Sequence, residues 1–334
     1  MITLVVLGIL LVPFLIIGGG ALLLWKRKRK RVLFWSGVSY GVAALLLIFG
    51  AGPYLAAWAI THAGTRLPDR QLKDTPAEYG VRYEEVVFPT RDSLRLRGWF
   101  IPPTTRQTLL ICTHGLFRNR IEMLARIVPL VRAGYGALLY DSRSHGTSDR
   151  GITSLGYYER NDVLGAIQYV GQRYQDAVDR PRIVLVGVSM GAVATLEAAA
   201  ESKDYAALIL DSPFASVKQA VMTHSWLLLK LPRYSFPPLF MYWFRRQAGF
   251  DVERLDAYRA ITKIEPVPLL LITSEGDERI GPGVARDLYR DSFSPVKKIE
   301  VFGKDVPHGA AARVYPDKYS ALLLSFLDSA LGAQ

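Results

Sequence analysis

Two long stretches without a charge constrain this chain before anything else does. Residues 2–24 and 37–60 each exceed twenty positions and contain no Asp, Glu, Lys or Arg. As a helix, either would cover roughly 35 Å, against a bilayer hydrocarbon core of about 30 Å. Trp25, Trp35, Tyr54 and Trp58 lie near the ends, where amphipathic rings prefer to sit at a membrane–water boundary. Buried core helices are the alternative, but two such runs before any amphipathic segment make a poor soluble core. The expectation is a transmembrane hairpin over residues 1–60, with spans at about 2–24 and 37–60. A cleaved leader is disfavoured for the first run, because no Lys or Arg precedes it and its apolar part is too long.

Between the two runs, residues 26–31 read Lys-Arg-Lys-Arg-Lys-Arg. Six consecutive cations can mark a nucleic-acid or anionic-lipid patch. Between two spans, a short basic loop is instead retained on the cytoplasmic side. Everything after residue 60 is then expected outside the cytoplasm, in a two-span protein of the cell membrane. Arg66, Arg70 and Lys73 weaken the charge asymmetry, although Asp69 and Asp74 are interspersed with them. The run supplies six of the formal net charge of +11. The remainder is modest and does not call for an anionic polymer, so no nucleic-acid partner is expected. Cys112 is the sole cysteine, which excludes an internal disulfide and leaves the compartment open.

Residues 61–78 turn polar, with Pro68 and Pro76, and read as a linker. From 79 onward, short β-branched runs alternate with helical periodicity. Strands are expected at 81–88, 94–101, 108–113, 137–140, 182–186, 206–210, 267–273 and 297–301. Helices are expected at 119–132, 158–172, 191–200, 282–291 and 318–331. This alternation predicts an α/β fold with a mostly parallel eight-stranded sheet covered by helices on both faces. The first two strands lack an intervening helix and should pair antiparallel at one edge. Ligands of such sheets gather at the carboxyl ends of the strands.

Gly187-Val188-Ser189-Met190-Gly191 falls between an expected strand and an expected helix. A G-x-S-x-G turn reverses the chain so tightly that side chains at Gly187 and Gly191 would strike backbone. It lifts the Ser189 hydroxyl above the sheet, and the following helix N-terminus favours negative charge there. The plain alternative is a glycine-rich turn with an incidental serine. A serine hydroxyl needs a base. Among five histidines, His62 is at the membrane edge, and His224 lies in an apolar segment that suits a packed ring. His145 lies in the loop "DSRSHGTSD" and His114 shapes its own loop. His308 follows the last strand, on the same edge as Ser189, and is the expected base. Asp277, just past the penultimate strand, is the expected orienting carboxylate, since the order Ser189, Asp277, His308 suits this strand arrangement. Asp211 is its main competitor; Glu275 and Glu278 are weaker ones. The oxyanion should meet the backbone N–H of Met190 and that of Leu116, in the "CTHGLFRN" loop where Gly115 permits a tight turn.

Together, His114-Gly115, "DSRSHGTSD", G-V-S-M-G, "LLLITSEGDERI" and His308 resemble the α/β-hydrolase superfamily, most closely its serine aminopeptidase-like and lysophospholipase-like members, some of them membrane-anchored. The resemblance covers about residues 79–331. It implies a Ser–Asp–His triad with neither metal nor organic cofactor, and cleavage of esters, thioesters or amides. Such hydrolases usually place glycine two residues before the histidine; here Val306-Pro307 precede His308.

Within the 79–334 domain, residues 212–266 are too many for a plain crossover. The stretch includes Trp226, Leu227, Leu228, Leu229, Phe240, Tyr242, Trp243 and Phe244. It is expected to form either a cap that binds an acyl chain or dips into the membrane, or helices covering the sheet. The function expected is a membrane-anchored serine hydrolase acting on a small-molecule or lipid-like carboxylic ester through an acyl-enzyme. A serine peptidase or amidase with the same triad is the alternative within the class. A non-catalytic hydrolase-fold binding module is the alternative outside it.

Overall fold

The computed structural model describes residues 25–66, 72–177, 180–230 and 234–332, with side chains from residue 31 onward. The expected first span, 2–24, lies outside the described residues. The chain divides into two compact units, Met1–Ala59 with Val221–Gly249, and Ile60–Ala220 with Phe250–Gln334.

In the first unit, helix α1 (Trp25–Leu45) passes through a wider π-wound segment (Leu46–Ala51) into α2 (Gly52–Thr61). Together, Arg31–Thr61 form one continuous 31-residue apolar helix, long enough to cross a membrane. The expected basic loop at 26–31 is corrected here: those residues are the first turns of α1. Lys and Arg are good helix formers, and like-charge repulsion at i,i+4 costs only a few tenths of a kcal/mol, so helix propagation prevails. The same unit contains α7 (Phe236–Ala248) and most of α6 (Val217–Leu229). A ladder of stacked rings runs Phe236, Phe240, Phe244 along the buried face of α7, with centroids 6.3 and 5.6 Å apart.

The second unit is built on eight strands: β1 (Glu84–Pro89), β2 (Arg95–Ile101), β3 (Thr108–Thr113), β4 (Gly136–Tyr140), β5 (Arg182–Val188), β6 (Ala207–Asp211), β7 (Leu269–Ser274) and β8 (Lys297–Phe302). Their spatial order is β1-β2-β4-β3-β5-β6-β7-β8. β2 pairs antiparallel with both β1 and β4, and the remaining pairs are parallel. The central strands β3, β4, β6 and β7 are buried along their whole length, as strands must be when helices cover both faces. On one face, α4 (Glu159–Arg173), α5 (Met190–Ala199), α8 (Ala257–Ile261) and α9 (Pro282–Asp291) bury Val163, Ile167, Leu196 and Leu288 against Phe88, Leu109, Leu185 and Leu271. On the other, α3 (Ile121–Arg132), α10 (Ala311–Val314) and α11 (Pro316–Leu331) bury Met123, Ile127, Leu323 and Phe326 against Leu110, Val186 and Leu270.

The start of the segment read as a linker is tied down. Thr61, Ala63 and Thr65 are buried. The Thr65 hydroxyl donates to the Arg118 carbonyl (2.8 Å) and accepts the Gly146 N–H (2.6 Å), and Arg66 N–H donates to the Phe117 carbonyl (3.0 Å). Polar composition marked this segment as loop, but its hydroxyls find buried backbone partners that composition does not reveal.

Candidate active site

β5 is central in the sheet, between β3 and β6, and Ser189 follows its last residue. Ser189 holds φ 54° and ψ −117°, a strained conformation for a residue with a Cβ and one that needs surrounding structure to hold it. The Ser189 N–H donates to the Asp211 carbonyl (2.8 Å), fastening the turn to the end of β6. A Cβ on Gly187 would strike the Gly191 carbonyl, and one on Gly191 would strike the carbonyl of Thr113. Both glycines are therefore required by close backbone approach, as the pentapeptide implied.

The loop after β7 carries Asp277 and the loop after β8 carries His308. His308 Nδ1 is 2.6 Å from Asp277 Oδ2, and His308 Nε2 is 2.8 Å from Ser189 Oγ. An ionised carboxylate can only accept, so Nδ1 carries the proton and Nε2 is left to accept from the serine hydroxyl. The Asp277 side chain is buried. Burial works to raise its pKa, but the His308 hydrogen bond and charge, with the N–H groups of Ile280 and Arg279 (3.0 Å each), hold it below the ordinary carboxylate value. The left-handed turn of the histidine loop lies after the histidine, at Gly309 (φ 62°). Val306, where a glycine was the usual pattern, is instead pinned by the Ser274 hydroxyl donating to its carbonyl (2.7 Å).

Met190 opens α5, so its N–H has no carbonyl one turn below within the helix. The loop after β3 lies against the elbow: a Cβ placed on Gly115 would sit 3.5 Å from Ser189 Cβ. The left-handed residue of this loop is Phe117 (φ 65°) rather than Gly115. Gly115 N–H donates to Glu122 Oε2 (2.7 Å), which leaves Leu116 as the next N–H along the loop. Two buried imidazoles brace it. His114 Nε2 accepts the Ser142 N–H (3.0 Å), so its Nδ1–H donates to the Gly115 carbonyl (2.8 Å). His145 Nε2 accepts the Phe117 N–H (3.2 Å), and its Nδ1–H donates to the Arg143 carbonyl (2.8 Å). Burial, then the neighbouring His114, pushes the His145 pKa down to about 3.

Apart from Glu278, the side chains of the other candidates have other partners. Asp211 is buried and engaged by the Ser212 hydroxyl (2.9 Å) and the Tyr319 hydroxyl (3.0 Å), with Arg126 3.8 Å away. Glu275 pairs with Arg286 (2.7 Å), and Glu278 is exposed. His62 contacts the Thr61 hydroxyl through Nδ1 (3.0 Å), and His224 is half-buried in α6. Two residues escaped the sequence reading. Arg126 Nη2 donates to the Gly309 carbonyl (2.6 Å) and its Nη1 to the Glu122 carbonyl (2.7 Å). Ser212 Oγ accepts the Gly309 N–H (3.2 Å). Both peptide groups of the residue beside His308 are thus held by buried side chains. The available signal was Arg126 itself, a lone cation among the buried Met123, Leu124, Ile127 and Leu130 of α3.

The strand order and the strained serine turn at the centre of the sheet define the class of hydrolase-fold proteins. Residues 109–322 match the model of the alpha/beta hydrolase family, and the chain belongs to that family. It is 28% identical over 246 residues to the uncharacterized protein YqkD of Bacillus subtilis, covering 73% of this chain and 78% of that one. Protein bem46 of Schizosaccharomyces pombe is 25% identical, over 70% of this chain and 74% of its own. Among solved structures, the Pyrococcus furiosus esterase Pf2001 superposes with a TM-score of 0.65 at 24% identity, covering 78% of this chain and 95% of the esterase. The acylaminoacyl peptidase of Pyrococcus horikoshii does so at 0.56 and 20%, covering 78% and 44%. At these identities the structural likeness is one of fold.

Proposed function

We propose that this protein is a membrane-anchored serine hydrolase that cleaves carboxylic esters, lipid-like ones included, through an acyl-enzyme. The observation that carries the proposal is the unbroken chain Asp277–His308–Ser189 at 2.6 and 2.8 Å. Ser189 Oγ attacks the ester carbonyl as its proton passes to His308 Nε2. Asp277 holds the ring in the tautomer that accepts this proton and stabilises the imidazolium formed. Negative charge on the carbonyl oxygen is met by the N–H groups of Met190 and Leu116. His308 returns the proton to the departing alkoxide, the alcohol leaves, and Ser189 is acylated. Water, deprotonated by the same imidazole, attacks the acyl group; the Ser189 Oγ–acyl bond breaks as the imidazolium returns that proton to Ser189 Oγ, releasing the acid and the free serine. No metal or organic cofactor takes part in this scheme.

The long apolar helix Arg31–Thr61 supports anchoring, and the cations at 26–31 favour retention of its start in the cytoplasm. The hydrolase unit then lies outside the cytoplasm. Ser189→Ala in the full chain should abolish labelling by a fluorophosphonate probe and hydrolysis of p-nitrophenyl esters. Labelling that survives in the folded variant would remove Ser189 as nucleophile. A wild-type chain that labels nowhere would favour the non-catalytic binding module. Comparing esters of graded chain length with aminoacyl amides separates esterase from peptidase.

A further inference from the structure

We propose that the insertion Val221–Gly249, carrying α7 and the end of α6, is an interfacial platform that rests on an anionic bilayer surface. The geometry comes from within the first unit. A Cβ on Gly52 would meet the Phe236 ring at 3.8 Å, the Tyr54 ring packs edge-on against Trp243 (centroids 5.2 Å, 89°), and Gln247 Nε2 donates to the Tyr54 carbonyl (3.2 Å). Phe236 and Gln247 are separated by about 16 Å of helix, whereas their partners Gly52 and Tyr54 are separated by about 3 Å. Therefore α7 crosses the long helix rather than running beside it. If the long helix follows the bilayer normal, α7 lies near the membrane plane.

Its depth follows from length. Arg31–Thr61 is about 46 Å long against a hydrocarbon core of about 30 Å. Centred in the bilayer, the helix leaves the core near residue 56. Counted instead from the first uncharged residue after Arg31, it leaves near residue 52. Both estimates put Gly52 and Tyr54, and hence α7, at the boundary between acyl chains and headgroups.

The chemistry matches that depth. Trp226, Leu228, Tyr234, Leu239 and Tyr242 are exposed, Tyr234 by 84% and Trp226 by 58%. Residues 221–249 contain Lys230, Arg233, Arg245 and Arg246 and no Asp or Glu. Aromatic rings with cations and no acid suit a helix lying at an anionic headgroup layer. A docked protein would have to match the same rings and cations with its own acids, and nothing in this unit selects that over lipid.

The platform rests on the anchoring proposed above, and the test separates the two. Leu239→Cys and Tyr242→Cys, in the full chain, are each labelled with an environment-sensitive NBD dye; Cys112 is buried and stays unlabelled. Val42→Cys in the long helix and Phe293→Cys, 76% exposed on the sheet unit, serve as references. The proteins are reconstituted into vesicles of phosphatidylcholine and phosphatidylglycerol carrying spin-labelled lipid. Positions 239 and 242 should be blue-shifted and quenched most by a shallow spin label, position 42 by a deep one, and position 293 by neither. Quenching at 42 with none at 239 and 242 overturns the platform and leaves the anchor standing. A blue shift at 239 and 242 without quenching by lipid means that a second copy or another protein covers the face, and also overturns it. No quenching at 42 overturns the anchor and the platform together.

Discussion

Arg126→Met should both destabilise the sheet unit and slow the reaction, because one guanidinium serves both. Its side chain is 7% exposed and donates to the Glu122 and Gly309 carbonyls at 2.7 and 2.6 Å. It also stands 3.8 Å from the Asp211 carboxylate, itself 1% exposed. Each charge-assisted bond is worth about 1.5–3 kcal/mol net, and stripping the partner from a buried charge costs about 3–5 kcal/mol. These losses overlap, since the same group is removed once, so the expected total is about 3–5 kcal/mol. For a domain of roughly 250 residues that lowers the melting temperature by about 6–10 °C. Burial already raises the Asp211 pKa, against the opposing pull of Arg126 and the Ser212 and Tyr319 hydroxyls. A carboxyl raised in the folded state favours folding below its unfolded pKa and loses that contribution as pH rises. With the cation gone, the rise is steeper, so the deficit of the variant should shrink toward pH 5 and widen toward pH 8. Asp211→Asn added to Arg126→Met should restore much of the stability, because it removes the stranded charge. The loosened Gly309 should cost tenfold or more in kcat, about 1.4 kcal/mol, with a smaller change in KM. Thermal unfolding of the full chain in detergent micelles at several pH values, with ester kinetics, reads all of this. An Arg126→Met chain melting within about 2 °C of the parent, or a double variant no more stable than the single one, would refute the reasoning.

Asp277→Asn should leave the fold intact and lower kcat by about 10⁴-fold, since an amide can hold the wrong histidine tautomer; steady-state ester hydrolysis measures it. The Asp277 carboxyl is held below its ordinary value, so its stabilising contribution is present above the unfolded pKa of about 3.9. It is lost as pH falls through the lowered folded value, and Asp277→Asn should accordingly flatten the acid limb of the stability curve. Gly191→Ala drives a methyl into the Thr113 carbonyl and should cost more than about 2 kcal/mol, read as a lowered denaturation midpoint. Burial raises the Cys112 thiol far above its usual pKa, so a thiol reagent should modify it only after denaturation. Modification of the native chain at a comparable rate would contradict its buried position on β3.

The order of strands and helices was legible because each leaves a local mark. A short apolar run marks β3 to the residue, and helical periodicity marks α9. The Ser189 turn was equally legible, since G-x-S-x-G between a strand and a helix is a local pattern, although the Gly191 contact that requires glycine is with Thr113 on β3. Residues 26–31 are helical where a loop was expected, because a run of cations bears on topology but does not break a helix. Arg126 and Ser212 stayed hidden because their partner, Gly309, is 183 and 97 residues away. Nothing in either local pattern names a distant peptide group.

From the amino-acid order alone came the alternation that demands a covered parallel sheet, the strained serine turn, and an apolar run long enough to cross a bilayer. Each is a local pattern in the chain, where periodicity and steric limits act. Only the folded chain decided that Asp277 rather than Asp211 meets His308, that the loop turns at Gly309 and Phe117, and that α7 lies across the long apolar helix. Those outcomes are set by which loops the strand order brings to one edge of the sheet, and by side chains whose partners are remote in sequence.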